Sequence, residues 1–240
     1  MQTDNSYGKV FKALRANGML ENTLIICSSD NGTSPYASKK SELEKMGHFP
    51  SGDLRGSKAD IWDGGHRVPF IVHWPKIVKP DTRSDKLTCL GDVMATTAEI
   101  VGYKLPENAG EDSISFLPVL KGVKKYARKT VIHHSIPGYF AIRQENYKLI
   151  MCPGSGGWTK PRTNDRLWKK LEKQEKPTVQ LYDMSKDIGE QKNLAAQMPE
   201  KVKELKKLLE KQVEDGRTTP GSKQKNDTEI DIEKRPKKQK

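Results

Sequence analysis

Asp30 and Asn31, in Ser29-Asp30-Asn31-Gly32, set a carboxylate beside a carboxamide, the hard oxygen donors that a divalent cation takes. Some way downstream, Lys58 stands in a glycine-punctuated stretch from Arg55 to Phe70, RGSKADIWDGGHRVPF, and offers a compact positive charge. A cation site next to such a lysine suits binding of a multiply charged oxyanion ester. Two histidines lie within reach in sequence. His48, in Met46-Gly47-His48-Phe49-Pro50, could face a substrate, and His66 could border the site or pack beneath it. His133-His134 is not a metal pair, because neighbours on a strand point to opposite faces. Asn-Gly is also a common turn, so the Asp30-Asn31 pair gains its meaning from the lysine loop that follows it.

These residues need elements to hold them. Val10, Phe11 and Leu14 recur at helical spacing and Asn17-Gly18 is a stop signal, which predicts a helix over 4–16. Thr23 to Ser28 is a short apolar run with β-branched residues and reads as a strand buried on both faces of a parallel sheet. Ligands of open α/β sheets collect beyond the carboxyl ends of strands, and Asp30 and Asn31 fall there. The region 33–53 reads as a long loop, Pro69 to Trp74 as the next strand, and 92–101 as a helix. From Thr130 the pattern changes to short alternating runs at 131–134, 139–143, 147–151 and 179–182, an antiparallel sheet. A short helix is expected near 165–173. Pro199 to Val213 returns to helical spacing through Val202, Leu205, Leu208 and Leu209 and should pack on that sheet.

Composition bounds the rest. The chain has 240 residues and a formal net charge of +12, with many of its basic residues after Glu200. They do not form a footprint on one element, so no specific nucleic-acid partner is implied. No apolar run approaches the length of a membrane-spanning helix. Cys27, Cys89 and Cys152 are too widely spaced for a disulfide framework or a zinc site and are expected to be buried free thiols. Residues 216–240 mix both signs without aromatics and are expected to be a disordered basic tail, whose final Arg-Pro-Lys-Lys-Gln-Lys could contact a polyanion.

Read together, Ser29-Asp30-Asn31-Gly32 and Lys58 followed by Trp62-Asp63-Gly64-Gly65-His66-Arg67-Val68-Pro69 closely resemble the sulfatase family. The resemblance continues through Tyr139 to Ile150, Leu181 to Met184 and Asp187 to Ala195. It is with the arylsulfatase-type, formylglycine-dependent enzymes of alkaline-phosphatase-like fold. It implies an α/β fold: a partial core over 1–125, a small antiparallel sheet plus helix over 126–215, and the tail over 216–240. It also implies sulfuric ester hydrolysis, with Asp30 and Asn31 as metal ligands for a divalent cation, Ca2+ before Mg2+. Lys58 would bind sulfate and assist the leaving oxygen, and Arg67 would link loop and sheet. Asp63 stands where the family more often has Glu.

The family's nucleophile motif, Cys or Ser followed by x-Pro-x-Arg, does not occur in these residues. Cys152-Pro153-Gly154-Ser155 lacks the arginine and does not supply it. The expectation is therefore the C-terminal portion of such an enzyme, without meaningful turnover by itself, with formylglycine in an N-terminal part. By resemblance the substrate is a sulfate ester such as a sulfated glycan, and the setting is periplasmic or secreted. The alternatives are a phosphate or phosphonate ester hydrolase of the same superfamily, or a noncatalytic polyanion-binding module.

Overall fold

The computed structural model describes residues 2–235. Helix α1 (Gln2–Ala16) ends where Gly18 takes φ +67° and the Asn17 side chain donates back to the Ala13 carbonyl at 2.8 Å. The next strand, β1 (Ile25–Cys27), is followed by a connection containing a short helix α2 (Lys40–Lys45), and then by β2 (Ile71–His73). β1 and β2 pair antiparallel, with Ile26 opposite Val72.

Two expectations are corrected here. The strand after residue 23 is half-buried and antiparallel, not buried in a parallel sheet. An apolar run has the same composition whichever way its neighbour points, and the return of the chain from β1 to β2 selects the antiparallel ladder. The stretch 33–53 is not structureless, since α2 lies within it. Six residues, four of them charged, leave no apolar stripe by which to foresee a helix.

Antiparallel pairing has a direct consequence for the site. It sets the residues just after β1 beside those just before β2, and the Ser28 hydroxyl donates to the Pro69 carbonyl at 2.9 Å. Beyond β2 come α3 (Asp92–Ile100) and α4 (Leu117–Leu120). Asp92, fully buried, receives a bidentate interaction from the Arg128 guanidinium and N–H bonds from Cys89 and Ile114.

The later chain is a four-stranded antiparallel meander in the order β3 (Thr130–His134), β4 (Phe140–Gln144), β5 (Tyr147–Ile150) and β6 (Gln180–Asp183). Helix α5 (Asp165–Lys173), capped by the Asn164 side chain, precedes β6, and α6 (Pro199–Asp215) follows it. One face of the sheet, through Ile142, Leu149 and Leu181, packs on Leu205 and Leu209 of α6. Each of these leucines is fully buried, a contribution of about 1.5–3 kcal/mol apiece. The other face, through Ala141, Ile150 and Tyr182, packs on Ile61 and Trp62 and on Trp168 of α5. The lysine loop is therefore a wall of the sheet's own core.

Residues 217–235, where composition suggests disorder, form no helix or strand yet lie along the body. Thr219 donates to the Glu111 carbonyl at 2.6 Å, Glu233 pairs with Lys206 at 2.6 Å, and Ile232 packs beside α6. The rest of the tail, 236–240, lies outside the described residues.

Candidate active site

Two backbone hydrogen bonds join the two motif segments. The Gly32 N–H donates to the Gly65 carbonyl, and the Lys58 N–H donates to the Thr33 carbonyl, each at 2.9 Å. Contact between the segments is close enough that a side-chain carbon at Gly32 would collide with the carbonyl of Gly64. Gly64 in turn lies against the carbonyls of Arg55 and Gly56. Glycine is required at both positions for the turn Asp63–Gly65 to approach the Asp30-Asn31 segment.

At this junction Asp30 is exposed and Asn31 half-buried. Asn31 donates its Nδ2 to the Gly32 carbonyl at 3.1 Å, which fixes the carboxamide while committing only its donor side. No lysine or arginine pairs with Asp30 among the described residues, although the chain carries a net charge of +12. The half-buried Lys58 likewise forms no side-chain hydrogen bond or ion pair among them. The Asp30-Asn31 segment and the Lys58 loop thus meet along one short rim. Among the described residues no group of three or more His, Cys, Asp and Glu side chains is arranged to hold a metal.

The rim is braced from below. Asp63 is buried, with its Oδ1 2.7 Å from Nζ of Lys148 on β5. Lys148 is fully buried, donates to the Ile61 carbonyl at 2.9 Å and forms an ion pair with Glu190 at 2.9 Å. Glu190 accepts the Asp63 N–H at 2.6 Å, closing the ring of contacts. Burial alone would raise the Asp63 carboxyl, but Lys148, His66 and Arg143 bring it down to about 2. Burial pushes the Glu190 carboxyl up, against the pull of Lys148.

His66 belongs to this brace. Its Nε2 lies 3.0 Å from the Ile61 carbonyl, which can only accept, so Nε2 carries the proton. Its ring lies 3.8 Å from that of His133. Burial, then the charge of Lys148, brings His66 down to about 4, so it is neutral near pH 7. His48 is exposed beyond α2, with its backbone N–H bonded to Leu43. Arg67 reaches Asp63 at 3.4 Å from an exposed position. Of the cysteines, all free, only Cys152 is buried, and burial pushes its thiol up to about 12, far from a thiolate nucleophile.

Sequence reasoning missed Lys148, Glu190 and Asp60. Lys148 alternates in phase with the core residue Ile150, so a lysine on a buried face was the available signal. Asp60 accepts from Ser57 through one oxygen and from Trp158 and Thr159 through the other, tying the lysine loop to the segment after β5. Nothing local marked it.

Known proteins resemble this chain over most of its length. A family model described as Sulfatase matches residues 1–103, and one described as N-sulphoglucosamine sulphohydrolase, C-terminal, matches residues 57–155. The N-acetylgalactosamine-6-O-sulfatase of Bacteroides thetaiotaomicron is 33% identical over 216 residues, covering 88% of this chain and 40% of that protein. Arylsulfatase A of Homo sapiens is 31% identical over 220 residues, covering 87% and 41% respectively. A solved Bacteroides thetaiotaomicron sulfatase, described in connection with metabolism of multiple glycosaminoglycans, superposes with a TM-score of 0.73 at 32% identity. That alignment covers 88% of this chain and 42% of that one. The chain therefore spans about two fifths of the length of these relatives. With the Asp30-Asn31 and Lys58 segments joined as one rim on an α/β frame of alkaline-phosphatase-like kind, the chain belongs to the sulfatase family.

Proposed function

We propose that this chain carries part of the metal and sulfate site of a sulfuric ester hydrolase of the arylsulfatase type, acting on a sulfated glycan. The observation that supports it most is the junction at Gly32–Gly65 and Lys58–Thr33, which brings the Asp30-Asn31 segment to the loop of Lys58, a lysine with no ion pair among the described residues. Asp30 and Asn31 would hold a divalent cation, calcium in preference to magnesium, together with oxygen ligands from outside these residues. When bound, that ion supplies fixed positive charge toward an ester oxygen. Lys58 binds the sulfate group through its compact ammonium and favours departure of the leaving oxygen. His48, which is exposed, would meet substrate on this reading, whereas His66 supports the turn beneath the rim.

The glycan reading draws on the relatives' described substrates, which include N-acetylgalactosamine sulfate. The formylglycine nucleophile would come from outside these residues, and the chain alone would not turn over. The test starts with the reading frame upstream of Met1, where an in-frame Cys or Ser-x-Pro-x-Arg motif is expected. The encoded polypeptide, matured to formylglycine, should release sulfate from an oligosaccharide bearing N-acetylgalactosamine 6-sulfate. Lys58→Ala should lower kcat/KM by roughly 10²–10³-fold with the far-UV circular dichroism unchanged. Cleavage of phosphate esters without release of sulfate would reject the reading.

A further inference from the structure

Beside the rim lies an aromatic pair that the reaction does not use. Tyr36, 67% exposed, and Trp158 approach with ring centroids 5.6 Å apart at an angle of 57°. They come from segments far apart in the chain, and each is tied to the loop of Lys58. Tyr36 sits in the turn after Thr33, whose carbonyl accepts the Lys58 N–H. Trp158 is anchored through its neighbours: the Thr159 hydroxyl lies 3.2 Å from that of Ser57, and a side chain at Gly157 would collide with the Ala59 carbonyl. Both residues flanking Trp158 are thus held against both residues flanking Lys58. Asp60 locks this arrangement by accepting the Trp158 and Thr159 N–H groups at 2.8 and 3.0 Å.

Positive charge accompanies the rings. Arg162 donates Nε–H to the Trp158 carbonyl at 2.7 Å, is exposed, and forms no ion pair among the described residues. Lys160, one step nearer, is also exposed and free of ion pairs among them. An exposed tyrosine ring against a half-buried tryptophan held by a rigid hydrogen-bonded loop, with cations nearby in the chain, suits a pyranose ring that presents C–H groups on one face and an anionic substituent at its rim. Burial of hydrophobic surface alone does not account for the pair, because Tyr36 remains largely in solvent.

We propose that Tyr36 and Trp158 form a sugar-stacking subsite for the ring adjoining the sulfated residue, with Arg162 and Lys160 receiving an anionic group on that ring. The subsite rests on the sulfated-glycan reading of the rim. Its atoms come from both the Asp30 segment and the segment after β5, so it forms only when the lysine loop is seated.

The experiment is a calorimetric titration of the full-frame polypeptide, purified without formylglycine maturation so that the ligand survives. The probe is a tetrasaccharide bearing N-acetylgalactosamine 6-sulfate. Trp158→Ala and Tyr36→Ala are each expected to weaken binding about tenfold, Trp158→Phe to recover most of the loss, and the monosaccharide 6-sulfate to be affected less than the tetrasaccharide. Tyr36, being exposed, provides a variant that folds even where Trp158→Ala does not. Wild-type affinity for the tetrasaccharide in folded Tyr36→Ala protein, together with equal losses for both ligands in Trp158→Ala, would overturn the subsite. Sulfate release by the matured wild-type protein is measured in parallel. Release with ring-independent binding rejects the subsite alone, whereas ring-dependent binding without release rejects the hydrolase reading alone.

Discussion

The ammonium of Lys148 on β5 lies 2.7 Å from the carboxylate of Asp63, in a turn that sits against the Asp30-Asn31 segment. A sheet strand late in the chain thereby fixes a loop far earlier in it. Lys148 is fully buried and divides its charge between Asp63 and Glu190, so removing it leaves the two buried carboxylates with only the more distant Arg67 and Arg143 beside Asp63. Lys148→Met, which keeps the volume, should cost about 3–5 kcal/mol in urea unfolding. A loss below about 1 kcal/mol would mean that water replaces the ammonium and the brace is dispensable.

Acid should loosen the same brace in two stages. His66 is held at about 4 in the fold against an ordinary value of 6.5, so below pH 6.5 the unfolded chain takes up a proton that the folded one refuses. Stability therefore falls as pH drops from 6.5 toward 4. Asp63, lowered from 3.8 to about 2, contributes stability above pH 3.8 that is lost between there and about 2. Glu190 acts oppositely, because its raised carboxyl makes the fold retain a proton. Urea midpoints measured across pH 7 to 4 should decline, and His66→Gln should flatten that decline. An unchanged slope in the variant would remove His66 from the account.

Much of this was legible in the sequence and some was not, for physical reasons. Val202, Leu205 and Leu209 mark α6 because a helix against a sheet needs its apolar groups every three or four residues. The meander could be read because alternation at Tyr147 to Ile150 and its partners reports one face at a time. Polarity of the β1–β2 pair could not, since it depends on where the chain returns. Asp30, Asn31 and Lys58 were visible as motif positions, but their juxtaposition depends on two glycines whose need is a distance, not a composition. Lys148 shows its buried phase beside Ile150, but its partner Glu190 stayed hidden because a long-range charge pair leaves no local spacing.

Gly32 is the more sensitive of those glycines. Any side chain there meets the Gly64 carbonyl, which is backbone and cannot swing away. Gly32→Ala should part the two segments while leaving the four-stranded sheet and α6 intact, since none of their core residues touches it. Near-native far-UV circular dichroism together with at least a tenfold drop in kcat/KM of the matured polypeptide is expected. Full activity would show that the junction can shift without consequence.

Metal binding can be tested without turnover. A cation bound only by the folded state adds stability of RT ln(1 + [L]/Kd), about 2.7 kcal/mol at a hundredfold excess over Kd. Calcium should therefore raise the melting temperature of the full-frame polypeptide, chelation should reverse the rise, and magnesium should give a smaller one. Asp30→Asn keeps the shape of the side chain but removes its charge and replaces one acceptor oxygen by a donor NH2, and should abolish most of the calcium response. Asn31→Ala should weaken it further by removing the carboxamide oxygen. Because Asp30 is exposed and forms no ion pair among the described residues, the metal-free stability of Asp30→Asn should match the wild type. A calcium response that survives in both variants would place the cation elsewhere in the polypeptide.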